Sequence, residues 1–389
     1  MVSVFAKSNL FVAGVALSIF GFAVVGQLRA GGCPNSVVRG AYTSVQVNTD
    51  VRGCNIVGDA ANEPSIAVSV RDPRNIATAW RQFDTLASDF RQAGHAYSHD
   101  GGHSWVFPGV LQPGVFRTDP VLDAAPDGGL YYFGFSFGPP TFFASSDGGR
   151  TWEERGELAG FDKPWMTVDR SDGVGRGNIY VWGASSKFWR SSNSGTTFES
   201  FVTGAFNSIP LTLAVQLDGT LIVAAGGVAI SVSRDAQYAA SEPTFEYLGY
   251  AADGWYGSQI GIEPNPCGLM GQTWVATDHS QGTTRGNVYL LGTVRVGSFA
   301  QEDLDVWFVR SNDGGVTWSE VVRVNDDPVT SGAYQWFAMM SVASNGRIDA
   351  VWNDTRNSGQ ANLSELYYSF STDAGGDLVG ERAGQPDVR

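Results

Sequence analysis

Positive charge is scarce in this sequence. Twenty-five lysines and arginines stand against 39 aspartates and glutamates, a net charge of −14. Because phosphate backbones need a cationic surface, nucleic acid is excluded as a partner. A small anionic ligand gripped by a local arginine cluster is not excluded. Helix-building runs of Ala, Leu, Glu and Lys are nearly absent, which argues against a helical architecture. Only three cysteines occur, Cys33, Cys54 and Cys267. They allow one disulfide in any of three pairings, and their spacing matches no zinc pattern. No G-x-S-x-G, H-E-x-x-H or phosphate-binding loop is present. His95, His99 and His103 recur at a regular interval but straddle a turn, so neither a metal site nor a cofactor is expected.

Residues 1–30 stand apart. Lys7 precedes the apolar run NLFVAGVALSIFGFAVVG, which has the layout of an export signal and is also long enough for an uncleaved membrane anchor. RAGGC, ending at Cys33, lacks the usual aliphatic residue of a lipoprotein site. The expected location is secreted, periplasmic or cell-surface, with the membrane touched only through this anchor.

Glycine and aromatics are abundant: 49 glycines, 23 phenylalanines and 12 tryptophans. SSDGGRTW at 145–152 returns as SHDGGHSW at 98–105 and SNDGGVTW at 311–318, more weakly as SSNSGTTF at 191–198. Eroded copies lie in SRDAQYAASEPTF at 233–245 and STDAGGDL at 371–378. Each follows a short β-type run and most precede another, so each copy is read as a hairpin turn. The Asp accepts backbone N–H groups, the glycines allow positive φ, and the Trp anchors the turn. Upstream of each lies a second hairpin. Residues 163–186 and 272–295 align without a gap and agree at nine of 24 positions. The unit is therefore two hairpins, present six times: an all-β, six-bladed β-propeller of four-stranded antiparallel blades. The last blade lacks a convincing fourth strand, and SVQVNTDV at 44–51 looks like the fourth-strand sequence VVRVNDDP at 321–328. An N-terminal strand is expected to close the ring, leaving 31–389 as a single domain.

The octapeptides resemble the Asp-box, or BNR repeat, S-x-D-x-G-x-T-W, of the sialidase superfamily, and the resemblance spans roughly 40–378. It implies a site on the face opposite these turns, where first strands begin and second strands end. The ionisable residues there are Glu63, Arg81, Asp84, Arg117, Asp119, Asp162, Lys163, Arg295, Tyr334, Asp354 and Arg356. By the resemblance, Tyr334 takes the nucleophile's position, Asp84 or Asp89 is the general acid, and Glu63 or Glu263 supports the tyrosine. Arg81, Arg295 and Arg356 would clamp a substrate carboxylate, with Asp354 and Asp119 beside them. Trp255, in the long insertion 249–272, either stacks on a sugar or anchors its loop. The family's R-I-P motif is replaced here by Asn62-Glu63-Pro64, and an acidic residue there would repel a carboxylate. A glycan or glycoprotein ligand is therefore expected. Three alternatives stay open: an exo-α-sialidase-like glycoside hydrolase, hydrolysis of another glycan by paired carboxylates, and a non-catalytic binding propeller. The oligomeric state is not legible.

Overall fold

The computed structural model describes residues 3–4 and 33–378, except 34, 40–41, 139–140, 159–163, 185, 205–210, 227, 253–254, 257–259, 263, 270, 272, 297–303, 329–330 and 361–362. Every regular element among the described residues is a β-strand. The strands form six antiparallel meanders in chain order. Blade one is Ala60–Val68, Ile76–Phe83, Gln92–Ser98 and Val106–Leu111. Blade two is Thr118–Ala124, Leu130–Phe135, Thr141–Ser145 and Glu153–Glu157. Blade three comprises Trp165–Val168, Ile179–Gly183, Lys187–Ser191 and Glu199–Val202. Blade four comprises Leu211–Val215, Leu221–Ala225, Ala229–Ser233 and Glu246–Tyr250. Blade five is built from Trp274–Thr277, Val288–Val296, Asp305–Ser311 and Val322–Arg323. Blade six, as described, has three strands, Gln335–Val342, Ile348–Asp354 and Glu365–Ser371. The architecture is a six-bladed propeller.

Alternation along the strands explains the ring. In the second strand of blade two, Leu130 and Tyr132 pack toward blade one, while Tyr131 and Phe133 pack toward blade three. Similar apolar layers lie between blades three and four, four and five, and five and six. First strands of successive blades lie side by side and so surround the axis.

The N-terminal segment lies between the last blade and the first. Tyr42–Gln46 pairs with Ser36–Arg39 and with Ser3–Val4. Its described links to the ring are side-chain contacts. Tyr42 meets Tyr368 of blade six edge-on at 5.5 Å. Val45 and Val47 join Ile76, Trp80 and Ala96 of blade one in one buried cluster. A Cys33–Cys54 disulfide holds the two ends of this segment together; the side chain of Cys267 lies outside the described residues.

All six repeated turns share the bond from the leading serine and the backbone amide bond to the same side-chain oxygen. In 145–152, Ser145 Oγ donates to Asp147 Oδ1 (2.9 Å), the Thr151 amide donates to the same oxygen (2.9 Å), and Thr151 Oγ1 donates to Oδ2 (2.7 Å). Gly148 and Gly149 there have φ of +73° and +90°, which glycine alone adopts without strain. The same serine-to-carboxylate bond recurs at Asp100, Asp235, Asp313 and Asp373, and Asn193 replaces the carboxylate in blade three. At Asp235 the partner threonine is Thr244, supplied after an inserted loop. Turns between first and second strands share this face: Gln216 Nε2, for example, donates to the Gly314 carbonyl of a repeated turn (3.2 Å). In an up-and-down meander, strand starts and the turns between second and third strands must then lie on the opposite face.

Candidate functional site

On that opposite face the first strands of blades one, two and six break register at the same place. The shifts fall between Asn62 and Ser65, Thr118 and Val121, and Trp336 and Met339. Inside each lies a non-glycine residue in the left-handed region: Glu63 (φ 51°), Asp119 (φ 52°) and Phe337 (φ 52°). Side chains rarely adopt this backbone, and such residues concentrate where geometry serves function. The bulges re-aim Glu63 and Asp119 onto one guanidinium. Arg81, at the end of the second strand of blade one, pairs with Asp119 at 2.9 Å and also with Glu63. The side chains of Arg81 and Asp119 are 9% and 8% exposed, whereas that of Glu63 is 42% exposed. Thr118 Oγ1 also donates to Asp119 (2.9 Å).

Arg356 occupies a second charged corner, in blade six. Its guanidinium contacts Asp354 (2.8 Å), Asp327 (3.4 Å) and Asp326, and lies 4.4 Å from the centre of the Tyr367 ring. Burial opposes its charge, but the bonds to Asp354 and Asp326 and the charge of Asp327 raise its pKa above that of an ordinary arginine. Behind it, Arg323 is held by Asp305 (2.7 Å) and Asp327 (3.2 Å). Tyr334 is half-buried beside this corner. Its amide donates to Thr355 Oγ1 (2.8 Å), and its carbonyl accepts the Thr355 amide (3.1 Å).

The remaining predicted residues are spread wider. Asp84 accepts from Gln92 Nε2 (2.9 Å). Arg117 is buried over the Phe143 ring and bonded to Thr141 Oγ1 (3.0 Å), so it sits against the third strand of blade two, away from the axis. Burial lowers its pKa, opposed in part by Tyr132 and Glu154. Arg295 pairs through its backbone with Tyr256, and Trp255 with Val296, which lays the insertion along the second strand of blade five. The side chains of Arg295 and Trp255, and residues Asp162, Lys163 and Glu263, lie outside the described residues. The structure thus joins Glu63, Arg81 and Asp119 in one corner and Asp354 and Arg356 in another.

Three features of this face were not read from the sequence. Asp326 and Asp327 bind Arg356, although both stand in VVRVNDDP shortly before Tyr334. Trp165 and Trp274, in the first strands of blades three and five, meet edge to face at 4.9 Å. These blades are not neighbours in the ring, so the two partly exposed indoles can touch only across the axis, just inside its mouth. Outside the charged corner, Arg91 lies over Phe116, which stacks at 4.5 Å on the exposed Phe137. A usable signal was the recurrence of Glu63-Pro64, Asp119-Pro120 and Lys163-Pro164 at the starts of first strands.

No family model and no curated protein matches the chain. Solved structures do. The intramolecular trans-sialidase of Ruminococcus gnavus, in complex with oseltamivir carboxylate, aligns over 81% of this chain and 95% of its own, at 12% identity and a TM-score of 0.54. The leech intramolecular trans-sialidase complexed with 2,7-anhydro-Neu5Ac aligns over 85% and 73%, at 11% identity and 0.54. For the GH74 enzyme of Niastella koreensis the TM-score is 0.43 at 18% identity; the alignment covers 74% of this chain but only 35% of that enzyme's length. At such identities the likeness establishes the fold, and the fold is the six-bladed propeller found in sialidases.

Proposed function

We propose that this chain is an exported glycan-recognition propeller whose ligand sits at the mouth of the axis, on the face opposite the repeated turns. The observation that carries the reading is the mixed chemistry of that mouth. Carboxylates and guanidinium groups, which bond sugar hydroxyls, occupy blades one, two and six; the Trp165–Trp274 pair offers an apolar surface just inside. Its polar groups are fixed in advance by ion pairs and by left-handed backbone, which lowers the cost of binding. The leech trans-sialidase with this fold is complexed with 2,7-anhydro-Neu5Ac, which supports a sugar as the class of ligand. The N-terminal strand closes the ring beside blade six, and residues 1–30 direct export or anchor the chain.

Binding without turnover is favoured over sialidase catalysis because Arg81 and Arg356, two of the three clamp residues, are engaged by carboxylates of the chain itself. A panel of sialylated and neutral glycans, assayed for both binding and hydrolysis, tests this. Binding without hydrolysis is expected, weakened about tenfold by Trp274→Ala as one buried contact is lost. Hydrolysis of a sialoside that disappears in Tyr334→Phe, with the fold intact, would establish the sialidase reading instead.

A further inference from the structure

We infer that the mouth accepts sugars without a carboxylate and discriminates against those that carry one. This rests on the glycan reading above and narrows it to a ligand class. A carboxylate is usually bound by a guanidinium that presents its paired N–H groups outward. At this mouth both guanidinium groups are already engaged by carboxylates of the chain, Arg81 through its Nη2. Arg81 lies between Glu63 and Asp119; Arg356 lies among Asp326, Asp327 and Asp354. Each corner holds more carboxylates than the arginine at its centre can neutralise.

The discrimination has a steric as well as an electrostatic side. Glu63 is the exposed member of its corner while Arg81 is buried beneath it, so an approaching ligand meets the carboxylate first. The left-handed backbone at Glu63 and the bulge around it fix that arrangement. The neighbouring arginines do not offset it: Arg323, behind Arg356, brings one positive charge but is matched by Asp305 as well as Asp327. Arg117 is buried against the third strand of blade two. Arg91, half-buried over Phe116, brings a single positive charge to the outer edge of the corner, where its Nη1 faces the Thr118 hydroxyl at 3.5 Å. A neutral sugar, by contrast, donates its hydroxyls to Glu63 and to the other carboxylates without adding negative charge, and uncharged ring faces suit the indoles below.

The test uses the exported chain and paired probes. Neutral gluco-, galacto-, xylo- and arabino-configured oligosaccharides are compared with counterparts bearing a uronate or a terminal N-acetylneuraminate, by titration calorimetry. Neutral members should bind, and each acidic counterpart should bind about tenfold more weakly or worse, the scale that like-charge juxtaposition imposes. In Glu63→Gln, which keeps the side chain's size, the gap between the two sets should narrow several-fold. An acidic sugar binding as tightly as its neutral partner overturns the inference while leaving the glycan reading in place. A gap that Glu63→Gln leaves unchanged also overturns it, because the discrimination would then arise elsewhere. Failure of every sugar, acidic and neutral, to bind removes the glycan reading itself and this inference with it.

Discussion

His95 lies inside blade one, where its ring meets the edge of Trp152 at 6.4 Å. Burial brings its pKa down to about 4, against a partial upward pull from its bond with the Gly109 backbone. An unfolded histidine titrates near 6.5. As pH falls from there toward 4, the unfolded chain takes up a proton that the folded chain refuses. The contribution of His95 is therefore complete above about pH 6.5 and is lost as pH falls toward 4, by up to about 3 kcal/mol. Burial lowers the pKa of His279 as well, in the same sense. Urea unfolding at pH 7.5 and pH 5 should show a smaller acid-dependent loss in His95→Gln than in the wild type. An equal loss in both would place the sensitivity in other groups. The carboxylates of the turns add their own loss at lower pH. Burial raises Asp147, but hydrogen bonds from Thr151 and Ser145 outweigh it and hold its pKa below the ordinary value. That contribution is present above the unfolded pKa and disappears as pH falls below it.

The repeated turn was fully legible because its interactions are local. Every partner of the Asp147 carboxylate lies within a few residues of it, so the octapeptide itself specifies the conformation. Even the eroded copies at Asp235 and Asp373 keep the serine-to-carboxylate bond. Asp147→Ala should therefore cost stability, about 1 kcal/mol, since the Thr151 amide and hydroxyl are exposed and water can take over part of the bonding. Ligand affinity should be unchanged, because the turn lies on the face away from the mouth. Calorimetric unfolding and ligand titration on the same variant check both halves; normal stability with lost binding would mean the ligand sits on the turn face. The site was only partly legible. Glu63 and Arg81 share a hairpin and could be paired from strand register. Asp119 reaches Arg81 from the next blade, Asp326 and Asp327 reach Arg356 from the connection between blades five and six, and Trp165 meets Trp274 of a blade that is not its neighbour. Such contacts depend on ring radius and bulge geometry, which no local pattern encodes. The left-handed bulges could not be read from residue type either, since Glu and Phe ordinarily avoid that region.

At the scale of the whole molecule, six blades are held in a circle by the apolar layers between neighbours, and the segment that precedes blade one touches both that blade and blade six. Tyr42 against Tyr368 and Val45 and Val47 against Trp80 are those contacts. Deleting 40–52 should lower the melting temperature and promote aggregation, because the apolar surface of blade one that Val45 and Val47 cover would be exposed. Light scattering during thermal unfolding measures both effects, and a deletion variant that stays monomeric with unchanged melting would show that the ring closes without this segment. The Trp165–Trp274 contact has a consequence of another kind. Two indoles held nearly perpendicular at van der Waals distance share their electronic excitations, and the chirality of their arrangement passes into the far-ultraviolet circular dichroism. A propeller whose strands otherwise give only a weak signal thus carries its own optical gauge of ring integrity: the coupled band exists only while blades three and five keep their distance across the axis, and it fades as soon as the circle opens, whichever junction gives way first.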